Sequence, residues 1–380
     1  MNWVALKMLT GDRSKYLGIV FGITFAALLM GQQASIFCGL MLNTTSQIRD
    51  IQGADIWVMD PNVQFVDDLK PLSENDLHRA RGVPGVAWGV RFYKGLTRAR
   101  LDNGNFQQVI LLGLDDATLV GAPQEITHGT LADLRAPDAV IMDETGFRYL
   151  WPNETFRPGR VMEMNDHRAV IVGLCKASPT FQTFPIVYAR YSQAVQFTPR
   201  ERKVLSFVLA QGYPGLPIAE VCRRIHAQTG LQALSREEFI WKTINYFLRR
   251  TGIPINFGIT VALGFFVGSA IAGQTFYLFT VENLKQFGSL KAMGVGNLRL
   301  VRMILLQAGV VGLQGYGLGM GLAVLFGMGM KAAAKTIPPA FFMPWQILAG
   351  SAVAVLAISL LASLISIRRV LILEPAVVFK

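Results

Sequence analysis

The feature that most constrains this chain is a set of four long stretches without a charged residue, at 17–48, 251–281, 303–330 and 336–367. A helix needs about 20 apolar residues to cross the hydrocarbon core of a bilayer, and each stretch is longer than that. A charge at the bilayer centre costs at least about 2.5–3.5 kcal/mol, so runs of this length indicate spans rather than loops. The sequence therefore predicts an α-helical membrane protein with four transmembrane helices and a large insert after the first.

The positive charge of the chain lies mostly beside the predicted spans. The formal net charge is +11; the short segments 1–16, 282–302 and 368–380 together hold ten basic and three acidic residues, whereas the insert holds 24 basic and 22 acidic ones. Basic residues in short segments beside spans mark the cytoplasmic side of a membrane. This distribution argues against a nucleic-acid partner. It predicts a multi-pass protein of the cytoplasmic (inner) membrane with both termini inside and the insert outside, in the periplasm or extracellular space.

The domain boundaries follow from these runs. We predict an amphipathic cytoplasmic helix 1–16, transmembrane helix 1 at 17–42, an outside domain 43–235, a stalk helix 236–253, transmembrane helix 2 at 254–281, a cytoplasmic helix 282–299, transmembrane helix 3 at 300–330, an outside loop 331–342, transmembrane helix 4 at 343–367 and a cytoplasmic tail 368–380.

Two of these boundaries have alternatives. A cleaved signal peptide could replace the first span, although its apolar core is far longer than the ~7–15 residues of a signal sequence. The helix at 236–253 is either a stalk that continues into the second span or a core helix of the outside domain. Membrane lipid is a partner in either case, and Trp3 is an aromatic anchor for the first helix at the inner interface.

The insert reads as a mixed α/β domain, with room for two lobes. Alternating or β-rich runs predict strands at 54–59, 87–101, 107–114, 139–142, 161–172, 186–191 and 204–210. Helical patterns cover 73–81 and 218–228, and Ser73 with Asp76 resembles a capping box. Cys175 and Cys222 lie in this domain, where a disulfide is permitted but not required, so they are either paired or separately buried.

The insert shows no catalytic pattern. The four histidines, His78, His128, His167 and His226, lack ligand spacing, and there is no nucleophile elbow and no phosphate-binding loop. We therefore predict that the chain is not an enzyme, has no catalytic or metal site and binds no cofactor.

Glycine and glutamine residues occur within the predicted spans. Glycines with G-x-x-x-G spacing, which allow helix backbones to approach closely, are Gly264/Gly268, Gly315/Gly319 and Gly317/Gly321. They serve packing within one subunit or, for the second span, a dimer seam. The glutamines Gln32, Gln33 and Gln274 need partners in hydrocarbon: they form interhelical hydrogen bonds or provide a polar lining for a substrate.

The most specific segment is the short cytoplasmic helix at 282–299. Its apolar residues Leu284, Phe287, Leu290 and Met293 recur at helical spacing. The charged residues Glu282, Lys285 and Lys291 lie between them, and Gly294 and Gly296 end the helix before the next span. An apolar stripe on a cytoplasmic loop needs cover from a partner protein or from the membrane interface.

The same segment carries a family resemblance. The pattern K-x-F-G-x-L-K-A-x-G at 285–294 resembles the loop after the second span in FtsX-like (MacB-type) ABC transporter permeases. The tail from Arg368 through Ala376 resembles their closing R-x-x-x-x-x-x-P-A motif, and the order of one span, a large outside domain and three spans is similar over the whole chain. Length and the lack of a fused ATPase resemble the DevC-like exporter permeases most closely.

The resemblance implies a function and partners. The chain would be the permease subunit of an ABC exporter that works by mechanotransmission, as a homodimer with two copies of a separate ATPase that binds ATP and magnesium, with an adaptor and an outer-membrane channel. It implies that an ATPase-coupling site comprises Glu282, Leu284, Lys285, Phe287, Gly288, Leu290, Lys291 and Gly294, with Phe287 and Leu290 buried against the ATPase. The alternative is a non-transporting FtsX-like signalling protein that activates an extracytoplasmic cell-wall hydrolase.

Overall fold

The computed structural model describes residues 2–199, 205–334 and 339–372, and the chain divides into two compact units. The membrane unit comprises the chain up to Gly39, Gly252–Ala333 and the residues from Pro339 onward. The insert unit comprises Leu40–Thr251. The predicted tail motif at 374–376 and part of the predicted loop 331–342 lie outside the described residues.

The helices of the described chain follow the predicted order. They are α1 (Asn2–Gly11), α2 (Arg13–Thr44), α3 (Ser46–Asp50), α4 (Glu74–Arg81), α5 (Glu144–Leu150), α6 (Tyr191–Ala194), α7 (Ile218–Thr229), α8 (Arg236–Arg250), α9 (Ile253–Glu282), α10 (Leu284–Ala292), α11 (Asn297–Ala333) and α12 (Trp345–Ile372), with a 3-10 turn at Leu131–Arg135.

Four of these helices are long and apolar enough to cross a membrane, counted over the described residues: α2, α9, α11 and α12. They coincide with the four predicted spans. The boundaries differ at one place that matters for the site. Helix α11 begins at Asn297, so the predicted helix 282–299 is in fact the short α10 followed by a turn and the first residues of α11.

The helices of the membrane unit share one apolar core. Its fully buried members include Leu9 from α1, Ile23 from α2, Phe276 from α9 and Ile358 from α12. A buried polar contact joins the first helix to the third span, because the Gln307 side-chain amide donates to the Ala5 carbonyl oxygen at 2.8 Å. Helix α1 is therefore an integral part of this unit.

The strands of the insert unit are β1 (Ile56–Met59), β2 (Val86–Arg100), β3 (Phe106–Leu114), β4 (Glu125–His128), β5 (Ala139–Asp143), β6 (Arg160–Met164), β7 (His167–Lys176), β8 (Ile186–Arg190), β9 (Phe207–Gly212) and β10 (Gln232–Ser235). Within the described residues they form one mixed sheet of order β10-β1-β9-β2-β3-β8-β5-β7-β4, and β6 pairs with both β2 and β7.

Strand β2 joins two lobes of this sheet. Its first half, Val86–Phe92, pairs with β9, and its second half, from Tyr93, pairs with β3. One apolar core, which contains Trp57 and Phe207 at one end and Ile141 at the other, runs under both lobes. The predicted mixed α/β domain is confirmed.

One predicted strand of the insert is wrong. The run 161–172 is a hairpin of β6 and β7, not a single strand. The chain reverses at Asn165 and Asp166, which have φ of 51° and 61°. Two residues with positive φ make the turn that matches the twist of a two-residue hairpin, and Asn and Asp tolerate it better than most residues.

Two local predictions for the insert are settled. Ser73 and Asp76 form the capping box at the start of α4. Cys175 and Cys222 are both free and buried, and they belong to different apolar cores, so they do not pair.

The predicted stalk is also wrong. Helix α8 ends at Arg250, Thr251 is extended, and α9 begins at Ile253, so no single helix runs from the insert into the span. Phe239, Thr243 and Phe247 are buried on one face of α8. Since these residues follow helical spacing into the core beside Trp57, α8 is a core helix of the insert unit, which was the alternative interpretation.

Candidate functional site

The candidate site is helix α10 with the ends of α9 and α11, at one end of the membrane unit. A single residue, Asn283, separates α9 from α10. Its side-chain amide donates to the Phe279 carbonyl at 2.8 Å, and its own carbonyl accepts from the Phe287 amide at 3.1 Å. Asn283 thus satisfies backbone groups on both sides of the corner, so α10 follows α9 without a flexible linker.

Gly294 ends α10 in a Schellman motif. The Gly294 amide donates to the Lys291 carbonyl at 3.0 Å, and the Val295 amide donates to the Leu290 carbonyl at 3.1 Å. Gly294 has a φ of +89°, the left-handed conformation that this motif requires and that glycine adopts at least cost. The structure thus shows Gly294 ending the helix, as the sequence analysis predicts.

The apolar stripe of α10 faces the interior of this chain. Phe287 is fully buried in the core of the membrane unit, Gly288 is buried beside it, and Leu284 and Leu290 pack against the same core. The expectation that Phe287 and Leu290 are contacts for a partner is therefore wrong for Phe287. Helical spacing revealed the stripe, but it could not show that the core of the membrane unit already covers it.

The charged residues of the segment tie α10 and α9 to other helices. The Lys291 ammonium donates to the Leu371 carbonyl oxygen at 3.1 Å, near the end of α12, where a cation complements the helix dipole. Glu282 pairs with Lys15, which also pairs with Asp12 at 2.6 Å. The hydrogen bond from Lys15 keeps the pKa of Asp12 below its ordinary value.

The outward face of the segment is different from the predicted one. Lys285, Gln286, Ser289 and Ala292 are exposed on α10. Two apolar side chains flank the turn after it, with Met293 72 % exposed and Leu298 65 % exposed. The surface that a partner can reach is therefore a pair of apolar side chains beside Lys285 and the nearby exposed Arg299 and Arg302.

The glycines of α9 and part of those of α11 pack against α2. A Cβ at Gly264 would lie 3.3 Å from Leu29 Cβ, and one at Gly268 would collide with Ala26. A Cβ at Gly315 would lie 2.6 Å from Ile23 Cγ2, and one at Gly319 would lie 2.6 Å from Ala27 Cβ. These four glycines serve packing within one subunit, and a dimer seam through Gly264 and Gly268 is excluded by their burial.

The remaining glycine pair has no such neighbour. Gly317 and Gly321 are exposed, and a Cβ at either position would meet nothing within 4 Å among the described residues. The same spacing of glycines thus has two different roles on two faces of α11, which spacing alone does not distinguish.

The three glutamines occupy different environments. Gln32 and Gln33 are half-buried on α2, and Gln274 is exposed on α9. Among the described residues we find no hydrogen bond from these side chains to another helix. The interhelical hydrogen bonds expected for them are not formed within the described part of the chain, whereas Gln307, for which none was predicted, forms one with Ala5.

Other proteins carry the same segments. Residues 258–375 match the family model described as FtsX-like permease C-terminal, and this range contains α10 and its turn. The chain is 23 % identical over 377 residues to an uncharacterized ABC transporter permease of Mycobacterium tuberculosis, covering 95 % of this chain and 93 % of the relative. It is 25 % identical over 272 residues to a second one, from Mycobacterium bovis, covering 70 % of this chain and 69 % of the relative.

Two solved structures are similar to the insert at low scores. One is the extracellular domain of the noncanonic ABC-type transporter YknZ from Gram-positive bacteria, with a TM-score of 0.36, 16 % identity, and coverage of 48 % of this chain and 98 % of that chain. The other is the periplasmic region of MacB from Actinobacillus actinomycetemcomitans, with a TM-score of 0.37, 14 % identity, and coverage of 54 % and 96 %.

The family match confirms the resemblance that the pattern at 285–294 indicated. The relatives cover the insert as well as the spans, which agrees with one span, a mixed α/β domain and three further spans. Residues 258–375 are similar to the FtsX-like permease C-terminal domain, and the chain as a whole is similar to ABC transporter permeases.

Proposed function

We propose that this chain is the membrane subunit of an ABC exporter that transmits ATPase motion to its outside domain. The chain would act as a homodimer with two copies of a separate ATPase subunit, which would bind ATP and magnesium. Both termini and α10 would lie in the cytoplasm. A periplasmic adaptor and an outer-membrane channel would take the substrate onward.

The observation that supports this proposal most strongly is the fixation of α10 on the membrane unit. Phe287 anchors its inner face in the core, Asn283 holds its start to α9, and Lys291 holds its end to α12. A helix held at three points moves with the bundle rather than separately from it. A force applied to its outer face would therefore reach α9 and α12 together.

The outer surface suits a protein partner. Met293 and Leu298 are large exposed apolar side chains on a segment that carries cations and lies at the end of the spans. Apolar anchors surrounded by polar groups are the common form of an interface centre. We infer that these two side chains enter a groove of the ATPase and that Lys285, Arg299 and Arg302 lie at its rim.

The route to the outside domain passes through α9. Only Thr251 and Gly252 separate the end of α8 from the start of α9. Helix α8 inserts Phe239 and Phe247 into the aromatic core of the insert unit, where Phe239 lies 5.4 Å from Trp57 and Phe247 lies 5.1 Å from Phe181 between ring centroids. A displacement of α9 would thus pull on α8 through this two-residue connection, and α8 is packed into the core of the insert unit.

The test is recovery of the ATPase with tagged protein from detergent-solubilised native membranes. We expect Met293→Asp and Leu298→Asp each to reduce the recovered ATPase at least tenfold, since loss of an interface anchor commonly costs about 2 kcal/mol or more. Tyr213→Asp is the matched control, because Tyr213 is an exposed aromatic residue of the insert unit. Mass spectrometry of the wild-type sample would show whether an adaptor accompanies the ATPase.

Each outcome has a clear meaning. If both aspartate variants retain the ATPase, the coupling surface lies elsewhere. If the wild-type chain recovers no ATPase, the proposed function is wrong. Recovery of a cell-wall hydrolase with the ATPase, in place of an adaptor, would move the function to signalling.

A further inference from the structure

Helix α9 is the least covered of the four spans. In its most apolar stretch 17 % of the residues are buried, compared with 50 % for α2 and 33 % for α11 and α12. Its packing face, with Gly264 and Gly268, is used by α2. The opposite face of the helix has no neighbour within the described part of this chain.

The open face has a stripe of exposed residues along its middle. Starting at Asn256, the positions of this stripe are spaced alternately four and three residues apart. Positions 260 and 277 are half-buried, and the exposed ones that follow Asn256 are Leu263, Val267, Ala270, Gln274 and Val281. This spacing places the side chains along one seam of a helix that crosses a partner helix at a shallow angle.

Gln274 makes lipid a poor neighbour for this stripe. It lies within the uncharged stretch 251–281, it is exposed, and no hydrogen bond of its side chain to another described residue is found. A primary amide has two donors and an acceptor, and hydrocarbon chains offer it nothing. Ala270, one turn away, is small enough to allow another helix backbone to come close to that amide.

We propose that α9 pairs with α9 of a second copy of this chain and that the two Gln274 side chains hydrogen-bond to each other across a two-fold axis. A two-fold interface places each residue near its own counterpart, and an amide is complementary to itself because it both donates and accepts. This inference rests on the proposed function, which requires two permease subunits. It assigns the seam to the face opposite Gly264 and Gly268.

The first test is cysteine crosslinking in native membranes. Ala270→Cys is made together with Cys38→Ala, while Cys175 and Cys222 stay in place because both are buried. We expect oxidation to give a disulfide-linked band of twice the chain mass. Gly317→Cys is the control, since Gly317 is also a small exposed residue in a span, but on α11.

The outcomes distinguish the occupants of the face. A dimer band from Ala270→Cys and not from Gly317→Cys supports the α9 seam. A band of another mass would mean that a different chain covers α9, and no band from Ala270→Cys would mean that lipid does; either result overturns the inference. The ATPase is measured in the same samples, so its recovery without a crosslink refutes the seam and leaves the proposed function intact.

The second test addresses the amide itself. Gln274→Leu should raise the dissociation constant of the dimer in detergent about threefold to tenfold, the range of one interhelical hydrogen bond. Gln274→Asn, which keeps donor and acceptor, should lie closer to the wild type. A leucine variant that dimerises as well as the wild type would refute the role of Gln274.

Discussion

The Lys94 ammonium forms an ion pair with the Asp67 carboxylate at the point where β2 passes from one lobe of the insert to the other. The Lys94 side chain is only 4 % exposed, and it also donates to the Val66 carbonyl at 3.1 Å. The backbone of the same residue is bonded at both its amide and its carbonyl to the Ser206 hydroxyl, at 3.0 Å each. Lys94 therefore fixes the loop before α4 and the start of β9 to the centre of the sheet.

Replacing Asp67 should lower the free energy of unfolding far more than replacing Lys94. Asp67→Asn leaves a buried ammonium without a counter-charge, and we expect it to lower the free energy of unfolding by about 3–5 kcal/mol. Lys94→Met leaves a carboxylate that is already 31 % exposed and can hydrate, so we expect a loss of no more than about 1.5 kcal/mol. Denaturant unfolding of the solubilised chain, followed by tryptophan fluorescence, measures both. Equal losses would contradict the burial of the charge.

The same lysine predicts a pH dependence. Burial lowers the pKa of Lys94, and Asp67 offsets only part of that effect. Between this lowered pKa and the ordinary value of 10.5, the unfolded chain binds more protons at this site than the folded chain. The contribution of Lys94 to stability should therefore rise with pH through that window and become constant above it. The difference in unfolding free energy between the wild type and Lys94→Met, measured from neutral pH to about pH 10, should change in this direction.

Gly294 and Gly296 offer a matched pair of substitutions in the turn after α10. No heavy atom would lie within 4 Å of a Cβ at either position, but only Gly294 has a positive φ, of 89°. Gly294→Ala should therefore lower stability by about 1–2 kcal/mol through its backbone conformation alone, and Gly296→Ala should not. Thermal unfolding of the solubilised protein compares them. A loss of similar size at Gly296 would mean that space, not conformation, limits this turn.

Alanine substitutions at the glycines of α11 should also differ in their effect on stability, according to the face of the helix that carries each glycine. A Cβ at Gly319 would lie 2.6 Å from both Ala27 Cβ and the Thr24 carbonyl oxygen, so Gly319→Ala should cost about 1–3 kcal/mol of overpacking. Gly321 has open space, and Gly321→Ala should be neutral or stabilise the helix by up to about 1 kcal/mol. The midpoint of thermal unfolding in detergent decides between these outcomes, and a stable Gly319→Ala variant would refute the close contact of α11 with α2.

The two cysteines of the insert should not react in the folded protein. Burial raises the pKa of the Cys222 thiol to about 12 and raises that of Cys175 further, so neither forms thiolate at neutral pH. In a Cys38→Ala background, a maleimide should label neither residue in membranes and both after denaturation in detergent and heat. Mass spectrometry counts the adducts, and rapid labelling of Cys222 in membranes would show that α7 opens.

Much of this architecture can be predicted from the sequence because the strongest signals are local. Absence of charge over long runs predicted the spans, alternation predicted most strands, and Ser73 with Asp76 predicted a helix start that the structure confirms. The family pattern at 285–294 predicted a similarity to FtsX-like permeases, and the match of residues 258–375 confirms it. In each case the physical cause lies within one helix, one strand or one turn.

The predictions that the structure contradicts also share one physical cause. Phe287 and Met293 lie on the same predicted stripe, yet one is fully buried and the other 72 % exposed. The sequence of α10 does not show where the other helices of the membrane core lie, and their positions decide between burial and exposure. The same holds for Gly319 and Gly321, and for the extended Thr251 that separates α8 from α9: only the neighbours in space give these residues their roles.

The buried hydrogen bond from Gln307 to Ala5 also has a consequence for biosynthesis. Its two residues are 302 positions apart, and the helix that carries Ala5 is synthesised before the one that carries Gln307. That helix cannot reach its native place until the third span has been synthesised and inserted. Helix α1 must therefore wait, with its apolar face uncovered or held by lipid or a chaperone, while the 302 positions up to Gln307 are translated.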